Sequence, residues 1–174
     1  MMDKCGSVRD PGVISIGPDR YAEALEVLHA GFGSVRELFG ITVENDPHYP
    51  AFWSLGDVAR AVGRPSWLLG IERESTLAGC AFAGPSRHRV GCWELRHLAV
   101  VPAHGQRGLG EALVRAAAAL AAQDGADVLR IGIVAENRRL ADWYHRLGFD
   151  TVSSGEEIPP LPFTIDRLEL RLSR

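Results

Sequence analysis

Three glycines, Gly105, Gly108 and Gly110, lie between a β-rich run ending at Val101-Pro102 and an alanine-rich helical segment. Glycine lets a backbone adopt positive φ and come close to a ligand. The first turn of a helix carries unpaired N–H groups and a partial positive charge. Together these suit a phosphate or pyrophosphate, and Arg107 adds a formal charge at the same place. Two nucleotide fingerprints fail at named positions. A GxGxxG reading from Gly108 and Gly110 meets Leu113 where its third glycine belongs, and no GK[ST] closes the turn. A tight turn that merely uses glycines is the other reading.

A second segment follows. Asn137 stands just before a helical pattern, with Tyr144 about two turns further on, so both can face one side. Gly148-Phe149 then leads into a strand. These two segments resemble motifs A and B of the GNAT superfamily of acyl-CoA-dependent N-acetyltransferases. Motif A of that family is [RQ]-x-x-G-x-[GA] after a strand ending near "AV-x-P"; here Leu98-Ala99-Val100-Val101-Pro102 precedes Gly105-Gln106-Arg107-Gly108-Leu109-Gly110. Motif B is close to N-x-x-A-x-x-x-Y-x-x-x-G-F; here it is Asn137, Leu140, Tyr144, Gly148 and Phe149. The resemblance covers residues 92–152, and the strand order extends it over most of the chain. Gly105 replaces the usual Arg or Gln, which removes one side-chain contact to the pyrophosphate. The backbone N–H contacts need no side chain and are expected to remain. Leu140 replaces the common Ala and crowds the cofactor slightly. Asn45-Asp46-Pro47, Pro50-Ala51-Phe52 and Leu161-Pro162-Phe163-Thr164 also resemble an uncharacterised subgroup with a C-terminal LPFT segment.

The resemblance implies an α/β fold with a mixed, mostly antiparallel and splayed sheet of about six to seven strands flanked by helices. It implies acetyl-CoA as co-substrate, no metal, and direct transfer to a primary amine in a ternary complex. Such transfer needs a neutral amine, although a free alkylamine has a pKa of about 10. The thioester carbonyl must be polarised as charge develops on it. The departing thiolate benefits from a proton. By the same resemblance, backbone N–H groups near Leu98 and Val100, flanking Ala99, bind the cofactor and polarise the thioester. Gly105, Gln106, Arg107, Gly108, Leu109 and Gly110 hold the pyrophosphate, and Leu140 lies along the cofactor. Tyr144 is the general acid near the sulfur or an aromatic wall beside the pantetheine. Asn137 hydrogen-bonds the pantetheine or caps the helix.

The base is sought on the strand before the turn. Strand parity puts residues 94, 96, 98 and 100 on one face. Glu94 lies where histone-acetylating members of the family carry their catalytic Glu. It is either the base, acting through water, or the partner of Arg96 at a half-solvated sheet surface. Arg96 holds Glu94 ionised or binds an anionic substrate group. His97 faces the other way by parity and is read as packing or hydrogen bonding. His48, Tyr49, Phe52 and Trp53 form either a wall of the acceptor site, by cation–π contact, or part of the core. Glu156 and Glu157 precede a proline-stiffened loop and are either a solvated pair or an attraction for a cationic amine. Cys80 and Cys92 fall in strands and are read as small apolar residues rather than nucleophiles. Arg138, Arg139 and Arg146 mark a basic patch toward the 3′-phosphate or a solvated helix face.

These residues need a scaffold. Strands are predicted at 13–16, 67–72, 77–83, 92–101, 128–135, 149–152 and 165–172, the last alternating through Leu168, Leu170 and Leu172. A turn at Glu74-Ser75 joins the second and third. Tyr21, Leu25, Leu28 and Phe32 predict an early helix broken at Gly31 and Gly33, with a second short helix capped by Ser34. Residues 55–63 form another. Leu109, Leu113, Ala117 and Leu120 share one face of a helix that Gly125 stops, and residues 137–147 form the last, ended by Gly148.

The chain has 174 residues, 46% hydrophobic and 24% charged. That is a globular balance, and the length is enough for one core. Residues 1–12 read as a leader and 13–174 as one acetyltransferase domain. With 19 basic against 22 acidic side chains, the net charge of −3 gives no basic excess for nucleic acid. Three widely spaced cysteines form neither a disulfide framework nor a CxxC zinc site. The polar start lacks a signal-peptide core, and the apolar stretch 112–123 contains Arg115 and is too short to span a membrane. A cytoplasmic enzyme acting on a small-molecule amine is the expectation. A peptide or protein amine, or a CoA-binding sensor without turnover, are the alternatives. Many members of the family dimerise through late strands, which makes a homodimer the assembly to test.

Overall fold

The computed structural model describes residues 12–63, 66–105 and 108–173. Residues 1–11 of the expected leader, and Gln106 and Arg107 of the glycine turn, lie outside that description. Seven strands form one sheet: β1 (Val13–Ser15), β2 (Trp67–Arg73), β3 (Thr76–Pro85), β4 (Cys92–Val100), β5 (Val128–Val134), β6 (Asp150–Glu157) and β7 (Thr164–Arg171), in the order β1-β2-β3-β4-β5-β7-β6. Every neighbouring pair is antiparallel except β4 and β5. A parallel pair needs a crossover, and α3 (Leu109–Gln123) supplies it. Glu74 and Ser75, at φ 52° and 66°, turn β2 into β3. Such a double positive φ matches the twist of the strands it joins.

The helices cover both faces. The stripe Leu109, Leu113, Ala117 and Leu120 of α3 is buried against Leu69, Ala81, Trp93 and Leu129. α4 (Arg138–Arg146) lies on this same face, through Ala141 and Tyr144. The opposite face carries α1 (Tyr21–Leu38) and α2 (Leu55–Ala61), packed through Ala24, Val27, Leu28 and Val58 against Leu68, Phe82 and Ala99. Ser54 and Asp57 close a capping box on α2.

Three expectations are corrected. α1 runs unbroken through Gly31 and Gly33, so the second short helix is its last turns. Gly31 serves proximity rather than interruption: a Cβ there would stand 2.9 Å from the Cβ of Ala99. β6 continues through Glu157 instead of ending at 152. It is bulged where Gly155 adopts φ 68° and donates its N–H to buried Asp166. Strand β4 also departs from simple alternation, with consequences for the site.

Candidate active site

β4 and β5 pair only at Cys92↔Val128, Trp93↔Leu129 and Glu94↔Arg130. Beyond these they part, and a cavity of about 580 Å³ occupies the gap. Gly31, Phe32 and Tyr49 line it from the α1 face, Leu140 and Tyr144 from the α4 face. The split therefore joins the two sides of the sheet. Two reactants can approach one another through it without sharing an entrance.

A β-bulge shapes one wall. Ala99 faces Cys80 and Arg96 faces Phe82, so His97 and Leu98 together oppose Ala81. His97 takes φ 50°. Non-glycine residues seldom adopt that region, but His tolerates it better than most. One extra residue reverses side-chain parity beyond it. Trp93 and Leu95 before the bulge, and Leu98 and Val100 after it, meet the α3 face. The expected shared face of residues 94, 96, 98 and 100 is thus broken. His97 lies on the Glu94 and Arg96 side, not opposite. The Val101 N–H donates to the Ala78 carbonyl at 2.8 Å. Antiparallel alternation then aims the Leu98 and Val100 N–H groups away from β3, into the gap.

His97 shows part of its area to the cavity, yet Phe32, Trp53 and Phe82 ring it, Trp53 edge-on at 4.7 Å. Burial, with the adjacent Arg96 charge, lowers its pKa to about 4, so the ring is neutral near pH 7. Tyr144 packs between Trp143 at 4.6 Å and Phe149 at 5.3 Å. Burial pushes its phenol above the usual range and keeps the O–H protonated. Among the described residues the hydroxyl has no hydrogen-bond partner. Asn137 does cap α4: its Oδ1 accepts from the Leu140 N–H at 3.2 Å. Its amide N–H groups stay available to the cavity it lines.

The glycine turn divides by role. The Gly105 N–H donates to the Pro102 carbonyl at 3.1 Å, so this donor is spent on the turn rather than free for a ligand. Gly108 caps α3 at φ 76°, and a Cβ there would meet open space. Leu109, Gly110 and Glu111 begin the helix, where N–H groups lack intrahelical acceptors. Gly110 has a packing reason as well: its missing Cβ would sit 3.3 Å from the Trp143 ring. That contact seats α3 against α4 and so fixes the distance between the turn and Tyr144.

Glu94 lies outside this cavity, in a polar basin beside it over the paired ends of β4 and β5. Ser86 Oγ donates to it at 2.8 Å. Arg96 does not pair with it: its Nη2 donates to Ser66 Oγ at 2.9 Å. The aromatic cluster is shared. Tyr49 and His48 line the cavity, while Phe52 is covered by Arg36 at 5.3 Å and Trp53 packs on Phe82. Glu156 belongs to β6 and pairs with Arg167 at 2.9 Å. Cys80 and Cys92 are buried, and burial pushes the Cys80 thiol up to about 12, which leaves no thiolate for catalysis. Arg138, Arg139 and Arg146 are exposed on α4. Asp46, which the Asn45-Asp46-Pro47 resemblance includes without giving it a role, lines the cavity as well. Of the described lining residues it is the only acid, and burial raises its carboxyl.

Among the described residues, no helix is long and apolar enough to cross a membrane, and no group of His, Cys, Asp or Glu could hold a metal ion. Solved structures share the fold. The ribosomal-protein-S18-alanine N-acetyltransferase of Escherichia coli superposes with a TM-score of 0.71 at 16% identity, over 93% of this chain and 94% of its own. PaiA N-acetyltransferase of Thermoplasma acidophilum, in complex with coenzyme A, gives 0.72 at 18%, over 91% and 97%. YncA of Salmonella typhimurium, with its cofactor acetyl-CoA, gives 0.70 at 21%, over 93% and 94%. No curated protein matches the sequence significantly. The family model for the acetyltransferase (GNAT) family matches residues 33–149, two thirds of the chain, and spans both motifs and the split between β4 and β5. This chain therefore belongs to the GNAT acetyltransferase family.

Proposed function

We propose that the chain is a single-domain cytoplasmic enzyme that transfers the acetyl group of acetyl-CoA to a primary amine of a small molecule. The observation that carries this reading is the split sheet: one cavity reaches both faces, with two strand N–H groups aimed into it. The residues present fit the cofactor. Leu98 and Val100 N–H groups can hold a pantetheine amide and polarise a thioester oxygen. Gly108 leaves room beside the first turn of α3, where Leu109 and Gly110 present N–H groups to a pyrophosphate. Asn137 adds amide donors and Leu140 an apolar wall. Gln106 and Arg107 complete the turn in sequence.

Acetyl-CoA supplies the activated acyl group; the chain's own residues manage charge and protons. A neutral amine nitrogen forms the new C–N bond as the C–S bond breaks. Tyr144, held protonated by burial, gives its proton to the departing sulfur. The amine gives up one proton in exchange, so the balance closes. Glu94 is the proposed acceptor, through water from the neighbouring basin. Asp46 is the second reading, favoured because it lines the cavity itself. A CoA-release assay across a panel of primary amines tests the proposal. Turnover with at least one small amine supports it. Turnover only with peptides moves the assignment to a peptide amine, and acetyl-CoA binding without turnover moves it to a sensor.

A further inference from the structure

Two separate clusters bound the cavity. Leu140 and Tyr144 belong to the core on the α3 face. Six other lining residues, Phe32, Tyr49, Val134, Leu161, Phe163 and Ile165, belong to a second cluster beside α1. They come from α1, the segment after it, the end of β5, the β6–β7 loop and the start of β7. Phe32 and Tyr49 meet edge-on at 5.3 Å. Phe32, Leu161 and Ile165 are only half-buried, so part of their apolar surface is left uncovered. Such surface gains free energy when an apolar body covers it.

One acid stands in the segment that carries Tyr49. The Tyr49 N–H donates to the Asp46 carbonyl at 3.2 Å, so Asp46 begins the turn that places this ring. The Asp46 carboxylate takes the backbone N–H of His48 and makes no ion pair among the described residues. The guanidiniums of the lining are committed elsewhere, Arg96 to Ser66 and Arg167 to Glu156. An apolar wall beside one carboxylate without a counter-charge complements an apolar molecule that carries a single cation. A charged body would lose its water against Phe32, Leu161 and Phe163, which offer it nothing in return. The cavity of about 580 Å³ has to hold the acyl end of the co-substrate too, so the body is compact.

We infer that the acceptor is a primary monoamine with a compact apolar body, aryl or branched alkyl, seated by the cluster of Phe32, Leu161 and Phe163 while Asp46 meets its ammonium group. This names the substrate class of the proposed transfer and rests on that reading for its chemistry, but not for its binding test. The test is calorimetric titration of benzylamine, 2-phenylethylamine and isopentylamine, with and without CoA, which carries no acetyl group to transfer. Each is compared with its alcohol, with ethanolamine and with β-alanine. At least one apolar amine should bind about tenfold or more tighter than ethanolamine or β-alanine, since each buried methylene is worth about fourfold. It should also bind about fivefold or more tighter than its alcohol. Leu161→Asn should cut the first preference, and Asp46→Asn should erase the second. No binding of any apolar amine, equal affinity with ethanolamine or with the alcohol, or preferences untouched by both variants overturns the inference. The wild-type comparisons stand even where a variant fails to fold. Apolar-selective binding without CoA release from acetyl-CoA leaves the site in place and overturns the transferase reading instead. CoA release with ethanolamine or β-alanine and no apolar selectivity does the reverse.

Discussion

Acid should loosen this protein through His97, by an amount that can be worked out in advance. In an unfolded chain a histidine titrates near pH 6.5; among Phe32, Trp53 and Phe82 it titrates at about 4. The folded pKa is lowered, so as pH falls the unfolded chain takes up the proton first. Stability is fully present above about pH 6.5 and is lost down to about 4. The whole span corresponds to roughly 3 kcal/mol, at about 1.36 kcal/mol per pKa unit. At pH 5 the loss has reached about 2 kcal/mol by the same linkage. The perturbation is His97→Asn, since asparagine also tolerates positive φ but does not titrate. Urea unfolding of both proteins at about pH 7.5, 6 and 5 reads the difference. Carboxylates that titrate in that range are common to both and cancel. The wild type should lose about 2 kcal/mol more than the variant between pH 7.5 and 5. Parallel losses would show that the bulge does not bury the ring in the cavity wall, and the geometry of β4 would need revision.

Other perturbations follow from the same site. Tyr144→Phe should lower kcat by about a hundredfold while acetyl-CoA affinity and melting temperature hold, because the hydroxyl has no partner to lose. Steady-state kinetics with calorimetry decides, and an unchanged kcat removes Tyr144 as the acid. Glu94→Gln should move the pH–rate profile to higher pH, as the amine must then lose its proton unaided; an unmoved profile shifts the base to Asp46. Gly31→Ala forces a Cβ to 2.9 Å from that of Ala99. It should destabilise the protein by about 1–3 kcal/mol in thermal unfolding. An unaltered melting temperature would mean that α1 does not press on β4 there.

Much of this was legible from residue type and spacing, and the limits have physical causes. The seven strands, the α3 stripe and the Asn137-to-Tyr144 spacing are local patterns, and local patterns survive folding. Glycines are harder to read, because one residue type answers several demands. Gly108 meets a positive φ, Gly110 makes room for Trp143 and Gly31 makes room for Ala99. Only the last two depend on a partner distant in sequence, and there the helix-breaking expectation for Gly31 fails. The bulge at His97 leaves no signature in composition, yet it reverses parity for the rest of β4. That single residue moved His97 into the cavity wall and separated Leu98 from Glu94.

On the proposed function, the open side of β4 receives acetyl-CoA through its backbone. Titration calorimetry with acetyl-CoA, on the wild type and on Val100→Pro, tests it most directly. Proline removes the Val100 N–H aimed into the gap and no ladder bond to β3, where Val101 and Ala99 do the pairing. The expected result is saturable one-to-one binding to the wild type and about tenfold weaker binding to a variant that still folds. No binding to the wild type, or equal binding to both, would contradict it.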